Sequence, residues 1–328
     1  MAELVDSLAL LGDALISAEV LSAAGMTAYK LRELANRGEL VRVRRGWYVS
    51  GSTWNDTPPD EHYRFLVRAT AAQASAELVL SHHSAAVMHG LPLIGPWPDT
   101  VHALLPGAAG GSSHRLVTTH RTITDSRQVV IDGVTVTSLA RTVVDMVACS
   151  SFLVGTTIVD HVLHQEALRL RLEPRHGMDA TPPLTKHVLL TELDTVNPRV
   201  GRRAAERAIT FANGLTANAG ESLSRVRFEQ LGFEIPELQV QFIVHGCTYY
   251  VDYFWCRVRK IGEFDGCMKY TRNAVMAGRD VVGVILAEKN REDMLRPHVA
   301  SFTRWGWDLA YDARAFARFL SDQNVPRA

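Results

Sequence analysis

The sequence predicts an α+β chain of three consecutive regions: short helices closed by a β-hairpin over 1–55, mixed α/β structure over 56–215, and alternating helices and strands over 216–328. Three observations predict it. Apolar residues recur at helical spacing near the start and then, after Gly38, alternate with polar ones from Leu40 to Val49. Two stretches rich in turn-forming or small residues, Ser50–Glu61 with Pro58-Pro59 and Gly214–Gly220, mark the boundaries. Beyond the second, an amphipathic helical pattern is followed by β-branched and aromatic runs of strand length. With 328 residues, 47% of them hydrophobic and 21% charged, the chain can bury more than one core.

In the first region Leu8–Ser17 is apolar at helical spacing. Ser17 is placed to cap a second helix reaching Ala24, with Glu19 in the first turn, where the helix dipole favours a carboxylate. Gly25 breaks the pattern. Thr27 then caps a third helix over Ala28–Asn36, and Gly38 suits the left-handed position that ends it. The run from Leu40 to Val49 reads as a short hairpin turning at Arg45-Gly46. Ser50–Glu61 is expected to be a linker.

The middle region is expected to open with a helix over Asp60–Glu77 and a second one capped by Ser81. Strands follow at Thr100–Leu105, Arg115–His120 and Val129–Val136, with a glycine- and serine-rich turn at Gly107–Ser113. Helices resume at Ser138 and continue to about Asn213, interrupted near Pro174–Pro183. In the third region a helix over Glu221–Leu231 stops at Gly232. Gln239–His245 and Tyr249–Trp255 form a hairpin, and Val258–Phe264 and Val281–Leu286 add two strands. Helices over Arg291–Phe302 and Ala313–Leu320 close the chain.

Charge and cysteine content narrow the function classes. The 35 basic and 35 acidic residues cancel, so any contact with nucleic acid must come from a local patch. Cys149, Cys247, Cys256 and Cys267 include no C-x-x-C pair and no common zinc spacing, and read as reduced cysteines of a cytoplasmic protein. No run approaches 18 uninterrupted apolar residues, and no basic-then-apolar leader opens the chain, so no membrane partner is expected.

A local patch does occur. Two short helices joined by a tight turn at Ala23-Ala24-Gly25-Met26 have the form of a helix-turn-helix, whose second helix enters the major groove, roughly 12 Å wide. Leu31 and Leu34 would face inward, leaving Thr27, Tyr29, Lys30 and Arg32 for phosphates and base edges. Arg37, Arg42, Arg44 and Arg45 fall within nine residues on and beside the hairpin, which would act as a wing that clamps phosphates or enters a narrow minor groove. The alternative is that they are the solvated, charge-protected face of an edge hairpin.

The segments from Leu15 to Tyr48, Ser81-His-His-Ser-Ala-Ala-Val-Met-His-Gly-Leu-Pro92 and Val136-Thr-Ser-Leu-Ala-Arg-Thr-Val-Val-Asp145 together resemble AbiEi-type antitoxins, the antitoxin halves of type IV toxin–antitoxin pairs. The resemblance covers residues 1 to about 150. It implies a winged helix-turn-helix repressor that binds operator double-stranded DNA without a cofactor, expected as a homodimer on inverted repeats. It also implies a nearby-encoded toxin partner of nucleotidyltransferase type.

The third region carries a set of acids. Glu221 on a helix, Asp252 on a hairpin strand, and Glu263 and Asp265 at the end of the next strand are hard oxygen ligands of the kind that hold Mg²⁺. Val251-Asp-Tyr-Phe, Ile261-Gly-Glu-Phe-Asp-Gly and Lys269-Tyr resemble the PD-(D/E)xK restriction-endonuclease-like fold in its Vsr-like branch, over about residues 220–320. The resemblance implies Asp252, Glu263 and Asp265 as Mg²⁺ ligands, with Glu221 and Lys269 completing a catalytic set. Asp265 stands where that fold usually has lysine, a departure shared with the Vsr-like branch. Three readings stay open: a Mg²⁺-dependent endonuclease guided by the N-terminal region, a retained fold that binds without cutting, and acids that cap strands and pair with arginines.

Other features carry less. His82, His83 and His89 lack the carboxylate pattern of a helical zinc motif and fit cap or core positions. Arg141 and Asp145 form an i,i+4 pair, and nothing nearby activates Ser138. The glycine-rich Gly107–Ser113 lacks the Gly-Lys-Ser/Thr ending of a phosphate loop. Arg199–Arg207 is either a backbone contact or a solvated helix face.

Overall fold

The computed structural model describes residues 14–106, 116–122, 127–172, 182–266 and 289–328. It is α+β, with three separate sheets. The chain forms two compact units, one of Met1–Cys149 with Thr191–Val200, the other of Ser150–Leu190 with Gly201–Ala328.

In the first unit, strand β1 (Ile16–Ser17) is followed by helices α1 (Ala18–Ala23) and α2 (Ala28–Asn36), then β2 (Leu40–Arg44) and β3 (Trp47–Ser50). The caps are those expected: Ser17 accepts from the Val20 amide and Thr27 from the Lys30 amide. Gly46 takes a φ of +74° at the hairpin turn, a conformation open to glycine at little cost. Where described, the end of the expected first helix is instead extended. Ile16 and Ser17 pair with Tyr48 and Trp47, giving a sheet of order β1-β3-β2. Ile16, Leu21, Met26, Leu31, Leu34 and Leu40 make one core.

The expected linker at Ser50–Glu61 is structured. The Ser50 hydroxyl accepts from the Thr53 amide and starts α3 (Gly51–Asp56), and the Trp54 ring stacks on His62 with centroids 3.7 Å apart. Helix α4 runs over Pro59–Gln73, with proline in the first turn, where its missing N–H is harmless. The chain then enters β4 (Val79–Leu80), a strand too short to read from periodicity. Ser81 makes no side-chain cap for α5 (His82–Met88), because its hydroxyl lies 3.1 Å from His82 Nδ1.

Strands β5 (Val101–Pro106), β6 (Val117–Thr122), β7 (Gln128–Ile131) and β8 (Val134–Thr137) complete a five-stranded sheet of order β6-β5-β4-β8-β7. The β5–β6 and β4–β8 pairs are parallel. Tyr63, Val67, Leu80, Val101, Ala103 and Val136 pack its core beneath α4 and α5. Helix α6 (Leu139–Cys149) follows, with Val143, Val144, Met146 and Val147 buried. The expected turn at Gly107–Ser113 lies outside the described residues.

The second unit holds α7 (Phe152–Leu172), α8 (Lys186–Val196, which continues into the first unit), α9 (Arg202–Phe211) and α10 (Ala219–Leu231). Strands β9 (Glu237–Val244), β10 (Cys247–Trp255), β11 (Lys260–Phe264) and β12 (Ser301–Trp305) form a sheet of order β12-β11-β10-β9. The β9–β10 hairpin turns at His245-Gly246, as expected.

The expected helix over Arg291–Phe302 is cut short. Residues 289–295 are helical, Pro297 sits in a 3₁₀ turn, and Ser301–Trp305 pairs in parallel with β11. Proline removes a helical hydrogen bond and releases the chain into that pairing. Helices α11 (Trp307–Tyr311) and α12 (Ala313–Asp322) close the chain. Phe228, Tyr253, Trp255, Trp305 and Phe316 build an aromatic core with ring centroids 5.3–5.9 Å apart around Phe228. Gly262 makes room for it, since a Cβ there would meet Trp305 at 2.6 Å and Trp255 at 2.8 Å. The expected strand Val281–Leu286 lies outside the described residues.

Candidate functional site

Helix α2 shows the two faces that its spacing requires. Leu31 and Leu34 are buried, while Thr27, Ala28, Tyr29 and Arg32 are exposed, Tyr29 at 76%. The candidate cations divide by what they already hold. Lys30 Nζ donates to Glu33 Oε2 at 2.9 Å and Arg37 pairs with the other oxygen of the same carboxylate. The Lys30 hydrogen bond is the main reason that Glu33 titrates below its ordinary range. The side chains of Arg32, Arg42 and Arg45 are exposed and hold no hydrogen bond or ion pair among the described residues.

Arg44 departs from the expectation. Its Nε donates to Thr70 Oγ1 on α4 at 3.0 Å, and burial lowers its pKa. The cause is local. A register shift between Arg42 and Arg44 interrupts the β2–β3 ladder, so two arginines that simple alternation puts on one face part company. Of the eight candidate contacts, Tyr29, Arg32, Arg42 and Arg45 remain exposed and free. Thr27 serves as a cap, Lys30 and Arg37 are tied to Glu33, and Arg44 is turned inward.

The acids of the second unit lie on and beside its sheet. Tyr253 pairs with Gly262, which sets Asp252 beside Glu263 one residue on, and Glu263 pairs with Arg304 of β12. Asp252 Oδ2 accepts from the Phe264 amide at 2.9 Å, and Oδ1 lies 3.4 Å from Gln239 Nε2. Glu221, in the first turn of α10, accepts from the Ala217 amide at 2.8 Å and from Asn218 Nδ2 at 2.5 Å. Burial, followed by the field of Asp252, pushes the Glu221 carboxyl well up; burial also raises Asp252, with neighbouring Glu263 adding to it.

Glu263 is engaged differently. Arg291 lies 2.6 Å from Oε1 and 2.9 Å from Oε2, and Arg304 donates to Oε2 at 3.0 Å. Arg291 also bonds the Tyr250 carbonyl. Asp265 sits just past β11, half-buried, its amide donating to the Trp305 carbonyl at 2.7 Å. Lys269 lies outside the described residues.

Among the described residues no group of three or more His, Cys, Asp or Glu side chains is arranged to hold a metal ion. Asp252 and Glu263 stand opposite each other across the β10–β11 pair, with Asp265 two residues further on, at the position expected of a Mg²⁺ ligand. Two guanidinium groups supply at Glu263 the positive charge that a cation would bring, so the donors present do not fit that ion. Sequence reasoning paired neither arginine with Glu263, because Arg291 and Arg304 lie 28 and 41 residues beyond it. No protein-family model matches this chain, and no curated protein matches it.

Proposed function

We propose that this protein binds duplex DNA and acts as a transcriptional regulator, with α1 and α2 as a helix-turn-helix and the β2–β3 hairpin as its wing. The reading extends the resemblance to AbiEi-type antitoxin repressors. One observation carries it: Tyr29, Arg32, Arg42 and Arg45 are exposed and uncommitted on the helix and hairpin, while the cations around them are occupied. A free guanidinium can exchange water and counterions for a phosphate without first breaking an ion pair. Helix α2 has the width to enter a major groove, and arginine and tyrosine are suited to its base edges. On this reading the protein works as a dimer on an inverted repeat, with a separately encoded toxin as partner, and the second unit contributes without cutting DNA. The Mg²⁺-dependent endonuclease reading would require Arg291 to leave Glu263.

The test is fluorescence anisotropy with a labelled duplex at low salt. Wild type binds, and the combined Arg32→Ala, Arg42→Ala, Arg45→Ala variant, still folded by circular dichroism, binds at least tenfold more weakly. Equal binding by the variant would remove this assignment.

A further inference from the structure

A second chemical centre lies in the first unit, away from α2 and the hairpin in sequence. His82 and His83 open α5, His102 lies on β5, His120 on β6, and Asp145 and Arg141 on α6. Parallel pairing of β5 with β6 matches Leu104 to His120 and His102 to Thr118, which sets the two strand histidines two residues apart along the ladder. His102 Nδ1 and His120 Nε2 are 2.8 Å apart, so one nitrogen donates to the other. The His82 ring stacks on His120 with centroids 3.5 Å apart, and His83 lies 5.0 Å from His102.

Asp145 supplies an oxygen with no hydrogen bond. Its Oδ1 accepts from Arg141 Nε at 2.8 Å, whereas Oδ2 is buried, accepts no hydrogen bond and lies 4.0 Å from His82 Nδ1. The Asp145 side chain is only 5% exposed. A buried carboxylate oxygen without a donor is costly and needs a partner.

We propose that His82, His102, His120 and Asp145 form a binding site for a divalent transition-metal ion of the zinc class. The spacings support it. Ligands about 2.0–2.1 Å from a tetrahedral ion lie about 3.3 Å from one another. The His102–His120 and His82–Asp145 separations, 2.8 Å and 4.0 Å, bracket that value. In their present packing the ring planes of His82 and His120 are nearly parallel, at 15°, so their lone pairs run side by side and no three donors converge. Binding would require those rings to turn about their side-chain torsions until the nitrogens reach a common point, with the proton between His102 and His120 moving to the far nitrogen of the donating ring. Three imidazoles and one carboxylate favour zinc-class ions over Mg²⁺. The ion would staple α5, β5, β6 and α6, and this proposal does not depend on the DNA-binding one.

The test is titration of the full chain with Zn²⁺ alone by calorimetry, and with Co²⁺ by visible absorption. One equivalent binding at micromolar affinity or tighter and a tetrahedral Co²⁺ spectrum are expected. His102→Asn and His120→Gln each lower affinity at least tenfold, whereas His245→Asn on the β9–β10 turn of the second unit leaves it unchanged. Where one cluster variant does not fold, the other and Asp145→Asn give the same comparison. Absence of stoichiometric binding to wild type, or equal affinity in the cluster variants, would overturn the proposal.

Discussion

Replacing Glu263 by Gln separates an acid that is clamped from one held ready for a cation. Three short contacts to two guanidinium groups converge on this carboxylate, at 2.6, 2.9 and 3.0 Å. The amide oxygen of Gln can take the Oε2 position and keep two of them. Its NH₂ then faces Arg291 across the 2.6 Å contact, donor against donor. Removing one partner of a fully buried ion pair costs about 3–5 kcal/mol. Glu263 is 6% exposed, but Arg291 and Arg304 keep 23% and 27% of their surface and regain some hydration. The discounted loss is about 2–3 kcal/mol. In urea, with a slope of about 1–3 kcal/mol/M, the midpoint of the second unit falls by about 1 M. Tryptophan emission follows this transition because Trp255 and Trp305 lie in the core of that unit. An unchanged or higher midpoint would refute the clamp, because an acid waiting for a cation is relieved, not stranded, when its charge is removed.

Arg44→Ala loses the bond to Thr70 and half-buried stem packing, so it lowers the melting temperature of the first unit by several degrees, whereas Arg42→Ala leaves it within error by calorimetry. Asp252→Asn flattens the pH dependence of stability. Burial raises the Asp252 and Glu221 carboxyls above the unfolded value near 4, so the fold retains protons that the unfolded chain releases. Their contribution is present in full below that pH and is lost as pH rises toward and past neutrality. The Asn oxygen still accepts from the Phe264 amide while its NH₂ donates to a turned Gln239, so urea midpoints at pH 5 and 8 lie closer together in the variant than in wild type, Glu221 supplying the difference that remains. Tyr29→Ala, at a 76% exposed position, leaves stability unchanged in the same urea assay but alters the sequence preference obtained by selection from random duplexes.

Helix α2 was legible because every signal it needs lies within twelve residues: the Thr27 cap, the Leu31 and Leu34 stripe, and the stop at Gly38. Features fixed by partners distant in sequence were not. Ser301–Trp305 becomes a strand through parallel pairing to β11, which helical periodicity cannot anticipate. Arg44 turns inward because of one register shift in a five-residue strand. His102 and His120 lie in separate strands, and only their pairing with each other and with the start of α5 reveals a cluster. The acids were found by residue type, but their surroundings, two arginines at Glu263 and buried faces at Glu221 and Asp252, come from tertiary packing.

The salt dependence of DNA binding tests the central claim most directly. Each phosphate contact contributes a slope of about −0.9 to log affinity against log salt. If Arg42 and Arg45 both meet phosphates, replacing them together by Ala makes the slope shallower by about 1.8, while Arg44→Ala leaves it unchanged. Identical slopes for wild type and the double variant between 50 and 200 mM salt would contradict the account.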